Sequence, residues 1–293
     1  MSSTWLVVCL SLASALAFAA SSSLKHISAG AVPDAQDWHP GKLRAFVTAT
    51  LRHPLWIAGI GCDIVAVALQ IVALHLGNLT LVQPLLICGL IFALVFRRLH
   101  DRNQVSGRQL GWAVVLSVGL AGFMLLAAGG GSGGRVDRVP AVISGVTGAL
   151  VALACLMTGR RLSPGGGKAA FLGVAVGVIY AGTAALLKAA TTIAVQDPPR
   201  LFISWQLYLT IALGVTGLLL NQLAFQAGPL AASLPATASV DPLASITVGV
   251  AVFDEHVRTL AWGVPLVLSL IVLAVGVVQL ARNAPEAVES LRS

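Results

Sequence analysis

Long apolar runs alternate with short polar segments along almost the whole chain. A run of about 20 apolar residues is the length that an α-helix needs to cross the hydrocarbon core of a bilayer. The pattern therefore predicts an all-α fold, a polytopic membrane helix bundle of about nine transmembrane helices. The predicted spans are 4–24, 54–76, 79–97, 109–128, 139–159, 169–191, 201–225, 229–253 and 259–281.

The segments between these runs carry turn and charge signals, so we expect them to be loops. The longest runs from Pro33 to Pro54, and the glycine tract 129–134 is expected to be a linker. No Lys or Arg precedes the first apolar run, whereas Lys25 follows it. A secretory signal peptide has the reverse arrangement, so we expect a retained first helix.

Composition supports a bilayer environment. Only 10% of the residues are charged and 57% are hydrophobic, with a mean hydropathy of +0.90, whereas soluble domains carry about 25% charged residues. The net charge of +7 comes from basic residues at the ends of apolar runs, so nucleic acid is not an expected partner. The four cysteines lie inside apolar runs without metal-ligand spacing, and no cofactor is predicted.

The loop charges predict the orientation in the cell (cytoplasmic) membrane. Basic residues favour cytoplasmic loops, and alternate loops differ strongly in their number. The more basic set contains Lys42, Arg44, Arg52, Arg97, Arg98, Arg102, Arg108, Arg160, Arg161, Lys168, Arg282 and Arg292. The opposite set contains Arg135, Arg138, Arg200 and Arg258. We therefore predict the N-terminus outside and the C-terminus in the cytoplasm, which requires an odd number of spans.

The sequence repeats itself. Residues 74–85 and 225–236 each show a helix end, a glycine-centred reversal and a proline seven residues after the glycine, and Gln70 and Asn221 then become equivalent. A second register aligns Gln83-Pro84 with Asp241-Pro242. The two registers differ by two helical turns and keep the same helix face, so both stay open.

A third similarity relates the first span to the sixth, which carry Lys25 and Lys188. Five spans separate these equivalents, so the two repeats are predicted to cross the membrane in opposite senses. Inverted repeats are typical of secondary transporters, whose substrate lies near the midplane between the halves. We divide the chain into a first half, 1–135, with spans one to four, and a second half, 136–293, with spans five to nine.

Four segments resemble the drug/metabolite transporter (DMT) superfamily. They are Leu81-Val82-Gln83-Pro84-Leu85, 224–235, Val240-Asp241-Pro242 and Phe253-Asp254-Glu255. The last two are similar to the EamA-type pattern, in which an acidic-Pro pair precedes an apolar helix that ends in Gly-Glu-Arg; here Asp254-Glu255-His256 stands in that place. The nine-span plan, Thr80-Leu81-Val82, and the paired lysines resemble the NIPA-type magnesium transporter branch. The resemblance implies a transporter.

Two acidic residues are the main candidates for a binding site. An ionisable group at mid-bilayer costs at least about 2.5–3.5 kcal/mol and usually faces a cavity or a partner. Asp63 lies about ten residues into the second span and shares a helix face with Val67, Gln70 and Leu74. It is predicted to bind a proton or cation with Gln70 as its neutral partner; a structural hydrogen bond is the alternative.

Asp241 precedes Pro242 in the middle of the eighth span. Proline removes a backbone donor, which frees the carbonyl of Ala238, and freed carbonyls beside a carboxylate suit cation or proton binding. A kink that only shapes packing is the alternative. The prolines expected to kink helices and line the cavity are Pro84, Pro235 and Pro242.

The remaining polar candidates have both a structural and a functional interpretation. Lys25 and Lys188 either extend to the headgroups or pair with Asp63 or Asp241. Membrane amides either join helices or line a solute path; they are Gln70, Gln83, Asn221 and Gln222. His26 is expected to face solvent, and Trp205, Gln206 and Tyr208 are expected to form an interfacial aromatic belt.

These features predict a secondary transporter that moves a small polar metabolite or drug-like solute by alternating access, coupled to a proton or cation. A magnesium transporter of NIPA type is the alternative substrate class, and a non-transporting membrane scaffold the alternative of another kind. No nucleophile, zinc or nucleotide motif indicates an enzyme. The expected partners are the solute or ion and the lipid bilayer, and a homodimer stays open.

Overall fold

The computed structural model describes residues 2–35, 38–76, 79–100, 106–127, 138–253 and 263–282. Within these ranges the chain forms eleven helices and no strand. The helices are α1 (Ser2–Ala31), α2 (Pro40–Arg52), α3 (Pro54–Leu76), α4 (Leu79–His100), α5 (Gly107–Ala127), α6 (Arg138–Arg161), α7 (Gly166–Gln196), α8 (Pro198–Leu201), α9 (Trp205–Ala227), α10 (Leu230–Phe253) and α11 (Gly263–Arg282). The glycine tract and Asp254-Glu255 lie outside the described residues.

A helix lies at each of the positions where an apolar run predicts a span. Among the described residues, seven helices are long and apolar enough to cross a membrane: α1, α3, α5, α6, α7, α9 and α10. Helix α11 contributes a shorter apolar stretch, Val267–Arg282. The chain is therefore a polytopic helical membrane protein, and its predicted all-α class is confirmed.

The prediction of a loop from Pro33 to Pro54 is wrong, because this segment contains helix α2. Phe46 and Thr50 of α2 are buried, while its basic residues are exposed. The ring of His39 caps the helix, since its Nδ1 accepts a hydrogen bond from the Gly41 amide at 3.3 Å. The apolar stripe of α2 is too short to indicate a span, yet it suffices to pack the helix against the bundle.

The two longest helices, α1 and α7, extend beyond their predicted ends. The sequence predicts that Lys25 and Lys188 lie close to helix ends, but α1 continues to Ala31 and α7 to Gln196. At 1.5 Å per residue, each lysine lies about 9–12 Å before the end of its helix. The prediction fails because a charged residue ends an apolar run in the sequence, whereas a helix continues through it.

Each long helix packs against the two spans that follow it. Helix α1 lies against α3 and α4, and α7 lies against α9 and α10. Helix α11, the last described helix, packs against α5, the last span of the first half, so this contact joins the two halves. A core cluster between α4, α5 and α11 contains Leu94, Leu116 and Leu273.

Glycines bring α7 and α10 into close contact. A Cβ at Gly173 would lie 2.6 Å from the carbonyl oxygen of Ser233, and one at Gly177 would lie 2.9 Å from Cβ of Val240. The hydroxyl of Thr237 donates to the Gly173 carbonyl at 3.0 Å. Small residues that let backbones approach are the usual basis of helix association in lipid, so this interface is held by close packing.

Candidate functional site

An ion pair lies between α1 and α3. Nζ of Lys25 is 2.6 Å from Oδ2 of Asp63, and the two side chains are 8% and 26% exposed. Neither charged group would be tolerated alone among apolar helices without a large cost. Each neutralises the other, so of the two interpretations of Lys25, the ion pair with Asp63 is the arrangement that the structure has.

A glycine makes room for this pair. Gly59 lies one turn before Asp63 on α3, and a Cβ there would be 2.8 Å from Cγ of Lys25 and 3.2 Å from the Ser21 carbonyl. The stem of the lysine therefore passes across the glycine to reach the carboxylate one turn further along. Any larger side chain at position 59 would displace the lysine.

The face of α3 that packs against α1 differs from the face predicted to bind a proton or cation. Val67 is 45% exposed, whereas Ala66 and Ala73 are fully buried, and the Ser14 hydroxyl donates to the Ala66 carbonyl at 2.8 Å. Gln70 is half-buried. The packed face is thus rotated from the predicted one toward the small residues, because α1 approaches α3 closely where side chains are small.

Asp241 lies on α10, which contains both Pro235 and Pro242. Its carboxylate is half-buried, and Oδ1 accepts a hydrogen bond from the Ser245 hydroxyl at 3.3 Å. The two prolines cannot donate to the carbonyls of Ala231 and Ala238. A carboxylate therefore shares this part of the helix with backbone oxygens that have lost their usual donors.

Tyr180 is a half-buried residue of α7 that the sequence did not single out. The phenol group of Tyr180, on α7, lies within electrostatic range of both Asp63 and Asp241. Its ring crosses α9 at Gly217, where an added Cβ would lie 2.6 Å from the ring. The available signal was its position: the chain has two tyrosines, and Tyr180 is in the middle of a 31-residue helix, far from an interfacial belt.

The glutamines of α9 hold the end of α1. Gln222 is 1% exposed and its amide donates to the Lys25 carbonyl at 2.9 Å. The Gln226 amide nitrogen lies 3.1–3.3 Å from the carbonyl oxygens of Ala29, Val32 and Pro33. For Gln222 the structure has the helix–helix hydrogen bond that was the alternative to lining a solute path.

His26 is also part of this contact. Its Nε2 lies 3.2 Å from the Gly228 carbonyl, and its ring meets the Phe225 ring edge-on at a centroid distance of 5.8 Å. The expectation that His26 faces solvent is wrong, because α1 continues past Lys25 and takes the imidazole into the bundle. We call the contacts of His26, Gln222 and Gln226 with the opposing backbone the α1–α9 clasp.

The other predicted residues lie away from Lys25, Asp63 and Asp241, or their side chains are not among those that the structure describes. Lys188 is exposed, and its carbonyl accepts hydrogen bonds from Thr191 and Thr192. Asn221 is 8% exposed within α9. Pro84 and Gln83 lie within α4, but their side chains are outside the described ones. Trp205 and Tyr208 are exposed at the start of α9.

Among the described residues, no group of three His, Cys, Asp or Glu side chains could hold a metal ion. The Lys25 ammonium meets the Asp63 carboxylate directly, and the Tyr180 phenol lies within range of the charges of Asp63 and Asp241.

Comparisons with known proteins find a relative whose name states no function. It is an uncharacterized protein of Corynebacterium glutamicum, 29% identical over 290 residues, which cover 97% of each chain. No family model matches the chain. No solved structure matches it either. The similarity therefore extends over almost the full length of both chains.

Proposed function

We propose that this protein is a secondary transporter that moves a small polar solute across the cytoplasmic membrane by alternating access. The observation that carries the proposal is that both halves place titratable side chains inside the helix bundle. Lys25 and Asp63 come from the first half of the chain, whereas Tyr180 and Asp241 come from the second. A site assembled from both halves changes its geometry when the halves move, which is what a carrier needs.

The dimensions of the helices support a repeat between the halves. Helices α3 and α9 have 23 residues each, and α4 and α10 begin at the same offset in residue number from them. The two longest helices, α1 and α7, pack on corresponding partners. This correspondence favours the register that aligns 74–85 with 225–236.

Backbone contacts support opposite senses for the halves. The Gly165 amide, just before α7, donates to the Ala227 carbonyl at the end of α9 at 2.8 Å. The Gln226 side chain, near the end of α9, donates a hydrogen bond to the Ala29 carbonyl near the end of α1 at 3.2 Å. The start of α7 therefore lies at the same end of the bundle as the end of α1, so α1 and α7 run antiparallel.

The proposed topology has nine spans, with α4 and α11 added to the seven apolar helices. The N-terminus is then outside and the C-terminus cytoplasmic, as the loop charges predict. In this topology the α1–α9 clasp closes the cytoplasmic end of the bundle. A cavity of about 540 Å³ lies at the opposite end, where Gln196, Asp197, Arg200 and Trp205 are among its lining residues.

The proposed mechanism couples the clasp to the charges. A proton or cation binds Asp241, whose only hydrogen bond in the described region is the long one from Ser245. The neutralised carboxylate then tolerates a drier environment, and the halves rearrange around Tyr180. The α1–α9 clasp opens while the opposite end of the bundle closes. Throughout this change the Lys25–Asp63 pair leaves no net charge between α1 and α3.

A magnesium transporter of NIPA type is the second candidate, supported by the resemblance of the sequence motifs. Mg²⁺ binds one or two carboxylates and keeps several waters, which Asp241 and the proline-freed carbonyls could supply. The Lys25 ammonium beside Asp63 disfavours a divalent cation at that carboxylate. We therefore rank a small polar metabolite or drug-like solute above magnesium, and a membrane scaffold without transport third.

A proton-flux assay tests the proposal. Proteoliposomes that contain the pH dye pyranine are exposed in turn to amino acids, sugars, amine drugs and MgCl₂. A solute that is carried moves protons in the wild type and not in Asp241→Asn, while the control Arg161→Gln, an exposed position at the end of α6 away from the site and the cavity, behaves as wild type. A scaffold gives no flux with any solute, and equal flux in both variants would remove Asp241 from the mechanism.

A further inference from the structure

Helix α2 presents a basic groove on its outer side. A cavity of about 530 Å³ is lined by Gly41, Arg44, Ala45, Thr48, Ala49 and Arg52. Both of its charged residues are arginines, so the groove is cationic along its whole length.

Helical spacing builds the groove. Arg44, Thr48 and Arg52 follow one another at intervals of four residues, which places them in one row along the helix. Gly41, Ala45 and Ala49 form the neighbouring row in the same way. Because these residues are small, they form the bottom of a shallow groove, and the longer arginine side chains form its edge. The Cα atoms of Arg44 and Arg52 lie about 12 Å apart along the helix axis.

The opposite face of α2 is fixed to the protein. Phe46 is fully buried in a core cluster that also contains Leu172 of α7 and Leu223 of α9. Leu43 and Val47 pack against the same cluster. The apolar face is therefore not available for insertion into lipid, and the groove points away from the bundle.

The groove lies at the level of the membrane surface. Arg52 is two residues before Pro54, where a candidate membrane span begins, and the neighbouring Leu51 is 49% exposed. An exposed leucine beside an arginine at the start of a span fits the boundary between acyl chains and headgroups.

We propose that the α2 groove binds the phosphate of an anionic phospholipid headgroup. Guanidinium groups bind phosphate oxygens through paired, charge-assisted hydrogen bonds. The occupant is a lipid because the groove borders a membrane span and an exposed leucine, which an acyl chain can cover. Such a lipid would hold α2 at the surface, next to the end of α1 and its clasp.

Native mass spectrometry of the full-length protein in detergent tests this site, with phosphatidylglycerol and phosphatidylcholine as probes. The wild type should bind phosphatidylglycerol preferentially. The variants Arg44→Gln and Arg52→Gln should each lose about fivefold in phosphatidylglycerol affinity, and the double variant about thirtyfold. Arg161→Gln, an exposed arginine at the end of α6, is the matched control and should retain the affinity.

Three results would overturn the proposal. Phosphatidylglycerol affinity could be unchanged in the double variant, or Arg161→Gln could reduce it equally; either means that the groove is not the site. Inorganic phosphate could displace the lipid from the wild type as readily as added phosphatidylglycerol does, which would make the groove a site for small anions.

Discussion

The α1–α3 contact of the first half and the α7–α10 contact of the second half each join a long helix to a later span, but by different means. The first is held across the Lys25–Asp63 pair, with one glycine that clears a path for the lysine. The second is held by glycines that bring the backbones together at Gly173 and Gly177, and its lysine, Lys188, is exposed. The same helix plan therefore places one lysine inside the bundle and the other outside.

The difference shows what determines whether a charged residue is buried or exposed in such a bundle. The charge of a lysine inside an apolar helix needs a polar partner, and for Lys25 helix α3 provides Asp63. In the register that aligns 74–85 with 225–236, Gly214 of α9 stands where α3 has Asp63. Without that carboxylate, exposure of Lys188 to the surface is the lower-energy arrangement.

Replacement of each lysine should give the largest difference in stability between the two halves. Lys25→Met should lower the free energy of unfolding by about 3 kcal/mol, because it leaves the Asp63 carboxylate without its partner. Lys188→Met should change it by less than about 0.5 kcal/mol, as expected for an exposed position. Unfolding by SDS titration in mixed micelles measures both.

A double variant provides the control for this pair. Lys25→Met with Asp63→Leu removes both charges, so it should recover most of the lost stability. Equal losses in the two single lysine variants would contradict the distinction between the buried Lys25 and the exposed Lys188.

Gly173→Ala should weaken the second contact by about 2 kcal/mol, because the new methyl group meets the Ser233 carbonyl at 2.6 Å and neither backbone can yield easily. Gly182→Ala, in the same helix, meets only Leu213 Cδ1 at 3.8 Å. It should be neutral or slightly stabilising, because alanine favours helix. The same titration compares them, and a similar result for both would argue against backbone packing as the basis of the contact.

Gly59→Ala should have the smallest of these effects, a loss of about 1 kcal/mol. The added methyl group displaces the Lys25 stem, which can adjust in part, and presses on the Ser21 carbonyl. Gly61→Ala meets nothing within 4 Å and serves as the control. If Gly59→Ala were as stable as Gly61→Ala, the lysine would not depend on that gap.

The sequence predicted the helices well because apolar runs of sufficient length leave few alternatives in lipid. It also selected Asp63 and Asp241, since an acidic residue in such a run needs an explanation. The partner of Asp63 stayed open because Lys25 is 38 residues away, and only the packing of α1 on α3 decides between candidates.

Residues of ordinary character were missed. Tyr180 stands in an apolar helix, where its ring is unremarkable by composition, and its importance comes from two aspartates on other helices. His26 follows a predicted helix end, so nothing in the sequence indicated that the helix would carry it into the α1–α9 clasp. Helix α2 was missed because its amphipathic pattern is too short and too polar to predict a span, and its charges and prolines are those of a loop.

Cysteine labelling tests most directly whether α1 and α7 cross the membrane in opposite senses. With Cys9, Cys62, Cys88 and Cys155 replaced, the exposed positions Ala31, Pro164 and Gln196 each receive a single cysteine. An impermeant maleimide should label Ala31→Cys and Pro164→Cys from one side of sealed vesicles, and Gln196→Cys from the other. Labelling of Ala31→Cys and Gln196→Cys from the same side would contradict the antiparallel arrangement and with it the proposed carrier.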